Sequence, residues 1–183
     1  TILHYITNDE LVNDNELVLF DLGATYQNYC ADISRTFPIS GKFSPRQKEI
    51  YEIVLKAQKT VIKAIKPNVT LAQLQAITVD VFQKELMRIG LIKTESIEEV
   101  RRYYYHGVSH SLGLDTHDVG IGRDDPLPIN AVITVEPGLY IEEEAIGIRI
   151  EDDVLITETG AEVLSAEIIK EVAEIENFFD NKV

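Results

Sequence analysis

Thirteen consecutive residues, 106–118 (HGVSHSLGLDTHD), hold three of the chain's four histidines, together with Asp115, Asp118 and two flexible points, Gly107 and Gly113. Imidazole is the commonest neutral metal ligand and the usual general acid or base near neutral pH, so this density points to a site. The plainer reading is a pair of internally satisfied histidines in an acid-decorated loop. Four acids stand where apolar runs stop or alternate: Asp21 after Leu17-Val18-Leu19-Phe20, Asp32 in the next β-rich run, Glu136 after residues 131–135, and Glu151 within residues 146–157. Strand propensity disfavours such acids, and a turn-capping role is the plainer account of Asp21. Four carboxylates gathered without counter-charge would repel and take up protons, a problem that two divalent cations remove. With His110 as a fifth ligand the set is oxygen-rich, which suits manganese and related ions better than a thiolate zinc site. Two metals held ~3.5–4 Å apart can bridge a water and polarise a scissile carbonyl, which is the chemistry of metal-assisted hydrolysis.

The elements that must position these groups are legible in outline. An apolar-rich run at residues 2–6 reads as a strand carrying His4, and Leu17-Val18-Leu19-Phe20, running into Asp21 and Gly23, and residues 29–37 read as neighbouring strands of a hairpin, which lets Asp21 and Asp32 converge. Ser44-Pro45-Arg46-Gln47 is a helix start, with a capping box and Pro at the first helical position; apolar residues at helical spacing follow from Ile50 to Ile65, until Lys66-Pro67. Thr70 with Gln73 starts a second helix that runs to Gly90. Ser96 with Glu99 caps a third through the Tyr103-Tyr104-Tyr105 run, which delivers the chain into the histidine-rich stretch. Residues 146–157 read as one strand in which Arg149 and Glu151 share a face, with a solvated ion pair as the alternative. An amphipathic segment over residues 167–179 closes the chain.

Composition bounds the rest. The 183 residues fit one domain, and 45% hydrophobic with 26% charged residues is ordinary globular composition. Thirty-one acidic against 17 basic residues give a formal net charge of −14, which argues against nucleic acid or an anionic membrane as partner. The one cysteine, Cys30, cannot form an intrachain disulfide, and no apolar run approaches the ~20 residues that span a bilayer. A soluble, cytoplasmic protein is expected.

Six motifs, in order along residues 1 to about 160, carry a resemblance: ILHY around His4, FDLGA around Asp21, ADISRTFP around Asp32, HGVSHSLGLDTHD, TVEPGLY around Glu136 and GIRIEDDVLIT around Glu151. They resemble the catalytic domain of the pita-bread metallopeptidases, the family that includes aminopeptidase P, prolidase and methionine aminopeptidase. The resemblance implies an α+β pita-bread fold, a curved antiparallel sheet covered by helices. It also implies two divalent metal ions, Mn2+ first, with Co2+ or Zn2+ as alternatives. Asp21 would chelate one metal, Asp32 and Glu151 would bridge both, and His110 and Glu136 would complete the ligand set of the second metal, Glu136 also handling the proton of the nucleophilic water. His4, His106 and His117 match histidines that surround the substrate, and Arg149 would orient the metal carboxylates. Tyr140 is a candidate for the pocket wall; Asp115, Asp118 and Asp153 are either supporting partners or solvated acids.

Within the family the motifs are most similar to bacterial-type Xaa-Pro aminopeptidases, with peptides carrying proline in second position as substrates, and prolidase is the runner-up. A third reading, from a different class, is a pita-bread module that binds peptides without hydrolysing them. Complete members carry further helices and a strand before the ILHY strand. Residues 1–183 are therefore expected to be an N-terminally truncated catalytic domain with apolar surface uncovered, and the full-length protein a homo-oligomer.

Overall fold

The computed structural model describes Tyr5 and residues 7–181; His4 and most of the strand expected at residues 2–6 lie outside the described residues. The first paired strands are β1 (Leu17–Leu22) and β4 (Ile33–Pro38), antiparallel, with Asp21 opposite Ser34. Between them the chain turns back through a short ribbon, β2 (Thr25–Tyr26) and β3 (Tyr29–Cys30), closed by Gln27 and Asn28, both at positive φ. Such a two-residue turn matches the right-handed twist of its strands. At the neck of the ribbon a Cβ on Gly23 would lie 1.6 Å from the Ala31 carbonyl oxygen, so only glycine fits. Asp32 consequently sits at the break between β3 and β4 rather than inside the continuous strand expected from sequence. The ribbon is held across to the histidine-rich loop instead: the Cys30 amide donates to Gly113 O at 2.7 Å.

Helices α1 (Pro45–Ala64) and α2 (Leu71–Arg88) begin at the expected capping boxes, Ser44 with Gln47 and Thr70 with Gln73. Helix α3 (Ile97–Arg101) is shorter than expected and stops before the tyrosine run. The Ser96–Glu99 pair does not form a box there. Glu99 turns back to the Lys93 amide and the Thr94 hydroxyl, both at 2.7 Å, and Ser96 donates to Glu98, so the motif staples the preceding loop.

The second half of the chain supplies β5 (Val132–Val135), β6 (Gly138–Ile141), a 3-10 turn at Glu142–Glu144, β7 (Ile146–Arg149), β8 (Asp152–Ile156), β9 (Ala161–Val163) and α4 (Val172–Asp180). The single strand expected over residues 146–157 is therefore two. β7 pairs with β6 and β8 with β5, because the chain changes partner at Ile150-Glu151. There the Glu151 amide bonds instead to Ser34 O at 3.0 Å, which ties the break to β4. Among the described residues all strand pairings are antiparallel and the architecture is α+β, as expected, with five short ladders divided among four sheets.

Helix α1 packs on both apolar clusters. Ile50, Val54 and Phe82 join Leu139 and Ile148 in one, and Val61 and Leu74 join Ile133 and Val154 in the other. Each such side chain contributes about 1.5–3 kcal/mol on burial. The helices thereby fix the backs of the strands whose ends carry the acids. On the far side β1 exposes Phe20 and Leu22. Among the described residues no helix is long and apolar enough to cross a membrane.

Candidate metal centre

Five of the side chains singled out in the sequence converge where strands end. Asp21 is next to last in β1, Asp32 stands at the β3–β4 break, Glu136 follows β5, Glu151 occupies the β7–β8 break, and His110 comes from the loop that runs beside β5. His110 is aimed by its neighbours. The Thr134 amide donates to the His110 carbonyl at 3.0 Å, and the His110 amide donates to Thr134 Oγ1 at 3.2 Å.

The protonation of that ring follows from its partners. His110 Nδ1 lies 3.1 Å from the Ser111 carbonyl, which can only accept, so Nδ1 carries the hydrogen. In the neutral ring Nε2 then presents a lone pair, and it points at Asp32 Oδ2 (3.5 Å), Glu136 Oε1 (3.6 Å) and Glu151 Oε1 (4.0 Å). A lone pair facing three carboxylate oxygens is repulsive unless a proton or a cation lies between them. Burial works against charge on His110, but Asp32 and the Ser111 carbonyl, with Glu136 and Glu151 beyond, outweigh it and lift the ring to about 9.

The carboxylates show the same lack of positive charge. Burial, reinforced by Glu136 and Asp32, pushes Glu151 up to about 9; burial also pushes Glu136 up to about 7, against the pull of His110 and Arg149. Glu151 is 2% exposed, and its Oε1 has no hydrogen-bond partner. Potential ligand atoms of Asp21, Asp32 and Glu151 lie within 4.8 Å of one another, as do those of His110, Glu136 and Glu151. Two overlapping triads that share Glu151, built of oxygens and one imidazole nitrogen, fit a pair of divalent cations.

Arg149 is a cation built into the cluster's wall, and it is spent on orientation. Its Nη2 reaches Asp21 Oδ2 at 2.6 Å, Nη1 the Tyr140 hydroxyl at 3.0 Å and Nε the Ser34 hydroxyl at 2.8 Å. The guanidinium can only donate, so both hydroxyls accept from it and point their own protons onward. Tyr140, held protonated because burial pushes it up to about 12, faces His106 Nε2 at 3.0 Å. His106 Nδ1 is 2.7 Å from the Gly107 carbonyl and must carry the ring hydrogen, which leaves Nε2 to accept from Tyr140. His106 thus stands beside Glu136, with Nδ1 3.8 Å from Oε2.

His117 is exposed and lies edge-on to His110, their ring centroids 4.3 Å apart. It is near enough to Asp32 and His110 to serve as a donor as well as to face a substrate. Among the supporting acids, Asp153 receives the Asp32 amide at 3.3 Å, Asp118 staples its own loop through the Leu114 amide at 2.9 Å, and Asp115 is exposed. Ser34, Arg35 and Asp152, behind Glu151, carried no signal in the sequence beyond the unusual presence of polar residues in strands. A groove of about 810 Å³ between α2 and residues 104–109 meets the cluster only through His106; the convergent ligands lie outside it.

The Xaa-Pro aminopeptidase of Haemophilus influenzae is 46% identical over 195 residues, covering 98% of this chain and 45% of the relative, and that of Escherichia coli K12 is 42% identical, covering 96% and 43%. A zinc-substituted E. coli aminopeptidase P, solved in complex with product, superposes with a TM-score of 0.92 at 42% identity, over 98% of this chain and 44% of that one. The chain thus spans less than half the length of these relatives. The profile of Metallopeptidase family M24 matches residues 1–158, and the chain belongs to that family.

Proposed function

We propose that residues 1–183 belong to the catalytic domain of a dinuclear metallopeptidase that hydrolyses the bond between an N-terminal residue and a following proline. The observation that carries the metal half of this reading is the aim of His110 Nε2 into three carboxylates, one of which has an unpartnered buried oxygen. The names of the H. influenzae and E. coli relatives support the proline half.

In this reading Asp21, Asp32, His110, Glu136 and Glu151 hold two ions, Mn2+ first. Bound divalent ions supply Lewis-acid activation of water and of the scissile carbonyl. Glu136 takes the proton of the attacking water and returns it to the departing proline nitrogen. His106, with Nε2 committed to Tyr140 and Nδ1–H to the Gly107 carbonyl, stands beside Glu136, and His117 faces the substrate, a role that the resemblance extends to His4. Arg149 keeps Asp21 in the ligand orientation. A cytoplasmic location, in which Cys30 remains a thiol, and a homo-oligomer of the longer protein belong to the same reading.

The test is cleavage of an Xaa-Pro-Yaa tripeptide and an Xaa-Pro dipeptide, with manganese and with chelator. Manganese-dependent cleavage of the tripeptide alone is expected. Cleavage of the dipeptide alone reassigns the activity to prolidase, and binding of peptide without cleavage of either favours a binding module.

A further inference from the structure

We propose that Ser34 and Arg35, adjacent on β4, are positioning residues for Glu151: Ser34 sets its carboxylate, and Arg35, locked on Asp152, sets its backbone. The proposal rests on the metal reading above and concerns what holds the ligand that both triads share.

Ser34 is fully buried, and its hydroxyl has two neighbours, Arg149 Nε at 2.8 Å and Glu151 Oε2 at 2.6 Å. Because the guanidinium has no acceptor, Ser34 Oγ accepts from Arg149 and its single proton goes to Glu151. One hydroxyl therefore fixes the direction of the bond onto Oε2 and turns Oε1 toward His110 and the open centre of the cluster. The backbone of the same residue is tied to the same ligand, since the Glu151 amide donates to Ser34 O at 3.0 Å.

Arg35 secures the other side of that ligand. Its Nη1 donates to the Glu151 carbonyl at 2.5 Å and to Ser34 O at 2.9 Å, while Nη2 donates to Asp152 Oδ1 at 2.7 Å. Nε and Nη2 reach the Ile169 and Ile168 carbonyls at 3.1 Å. Asp152 is wholly buried and is held further by Gln58 Nε2 at 2.7 Å, Ser165 Oγ at 2.6 Å and Lys170. The next residue, Asp153, accepts the amide of Asp32. The tripeptide Glu151-Asp152-Asp153 thus couples one ligand of the shared centre to another through a single anchored backbone. Groups that orient metal ligands from behind are commonly worth 10–100-fold in metal affinity.

The experiment is calorimetric titration of manganese into metal-free protein, at a temperature where circular dichroism shows every variant folded. Ser34→Ala removes the hydroxyl, Ser34→Thr restores it, and Arg35→Lys keeps the charge but loses the planar fork. Ile53→Val, in the α1 core, serves as the control for a stability loss at a side chain that makes no polar bond to Glu151. Ser34→Ala and Arg35→Lys are expected to weaken manganese binding about 10–100-fold, while Ser34→Thr and Ile53→Val bind as the unaltered protein does. If Ser34→Ala and Arg35→Lys bind as tightly as Ile53→Val, the positioning role is overturned and the metal reading stands. If the unaltered protein binds no manganese, the metal reading fails and takes the proposal with it. Should Arg35→Lys not fold, the comparison of Ser34→Ala with Ser34→Thr decides.

Discussion

Arg149 and Asp21, 128 residues apart in the sequence, meet at 2.6 Å between Nη2 and Oδ2, at the edge of a cluster of carboxylates. Arg149 is 2% exposed and divides its donors among Asp21, Tyr140 and Ser34, so a single planar fork sets the orientation of three groups. A lysine retains the charge but supplies one point of attachment. Arg149→Lys should therefore lower kcat/KM for the tripeptide by about 10–100-fold while leaving a folded protein. Activity equal to that of the unaltered enzyme would remove Arg149 from the account.

Asp32 belongs to one triad with Asp21 and Glu151 and another with His110 and His117. Asp32→Ala should abolish hydrolysis and release bound metal, because it opens both groups at once. A variant that still hydrolyses the tripeptide contradicts the ligand assignment; one that loses hydrolysis yet binds peptide with unchanged affinity locates the loss in the chemistry.

The metal-free protein should lose stability as pH rises. Burial raises Glu136 to about 7, Glu151 to about 9 and Asp153 to about 6, while on His110 the facing carboxylates outweigh burial and raise the ring to about 9. Each group holds its proton more tightly in the folded chain than in the unfolded one. Their stabilising contribution is complete below the unfolded values and is lost as pH climbs through the folded ones, at about 1.4 kcal/mol per pH unit for each extra proton retained. Scanning calorimetry from about pH 5 to about pH 9 should show the metal-free Tm falling, and added manganese should oppose the fall because the ion takes the place of the protons. A metal-free Tm that rises across this interval would contradict the picture of a proton-holding cluster.

Gly23→Ala tests the geometry that brings Asp32 into the site. A Cβ 1.6 Å from the Ala31 carbonyl forces the neck of the β2–β3 ribbon apart. Urea unfolding should show a loss of about 1–3 kcal/mol or more, with weakened metal binding. Unchanged stability would mean that the close approach is not needed.

Local signals were legible in the sequence, and long-range ones were legible only as residue types. Ser44 with Gln47 and Thr70 with Gln73 mark helix starts because each box is closed by its own neighbours. Ser96 with Glu99 has the same spacing but fails, since Glu99 finds the Lys93 and Thr94 donors upstream. The run over residues 146–157 alternates like one strand; its division at Ile150-Glu151 depends on β5 and β6, which periodicity within the run cannot register. Likewise the acids stood out because strands disfavour them, whereas Ser34 and Arg35 gained their meaning only when Glu151 arrived from 117 and 116 residues away.

The central claim, that these carboxylates and His110 form a two-metal centre, is tested most directly by counting manganese. Metal-free protein equilibrated with Mn2+, freed of excess ion and analysed by elemental mass spectrometry should hold two ions per chain, and Glu151→Gln, which alters the ligand common to both triads, should hold fewer. A chain that retains no manganese, or a Glu151→Gln variant that retains the same two ions, would contradict the account.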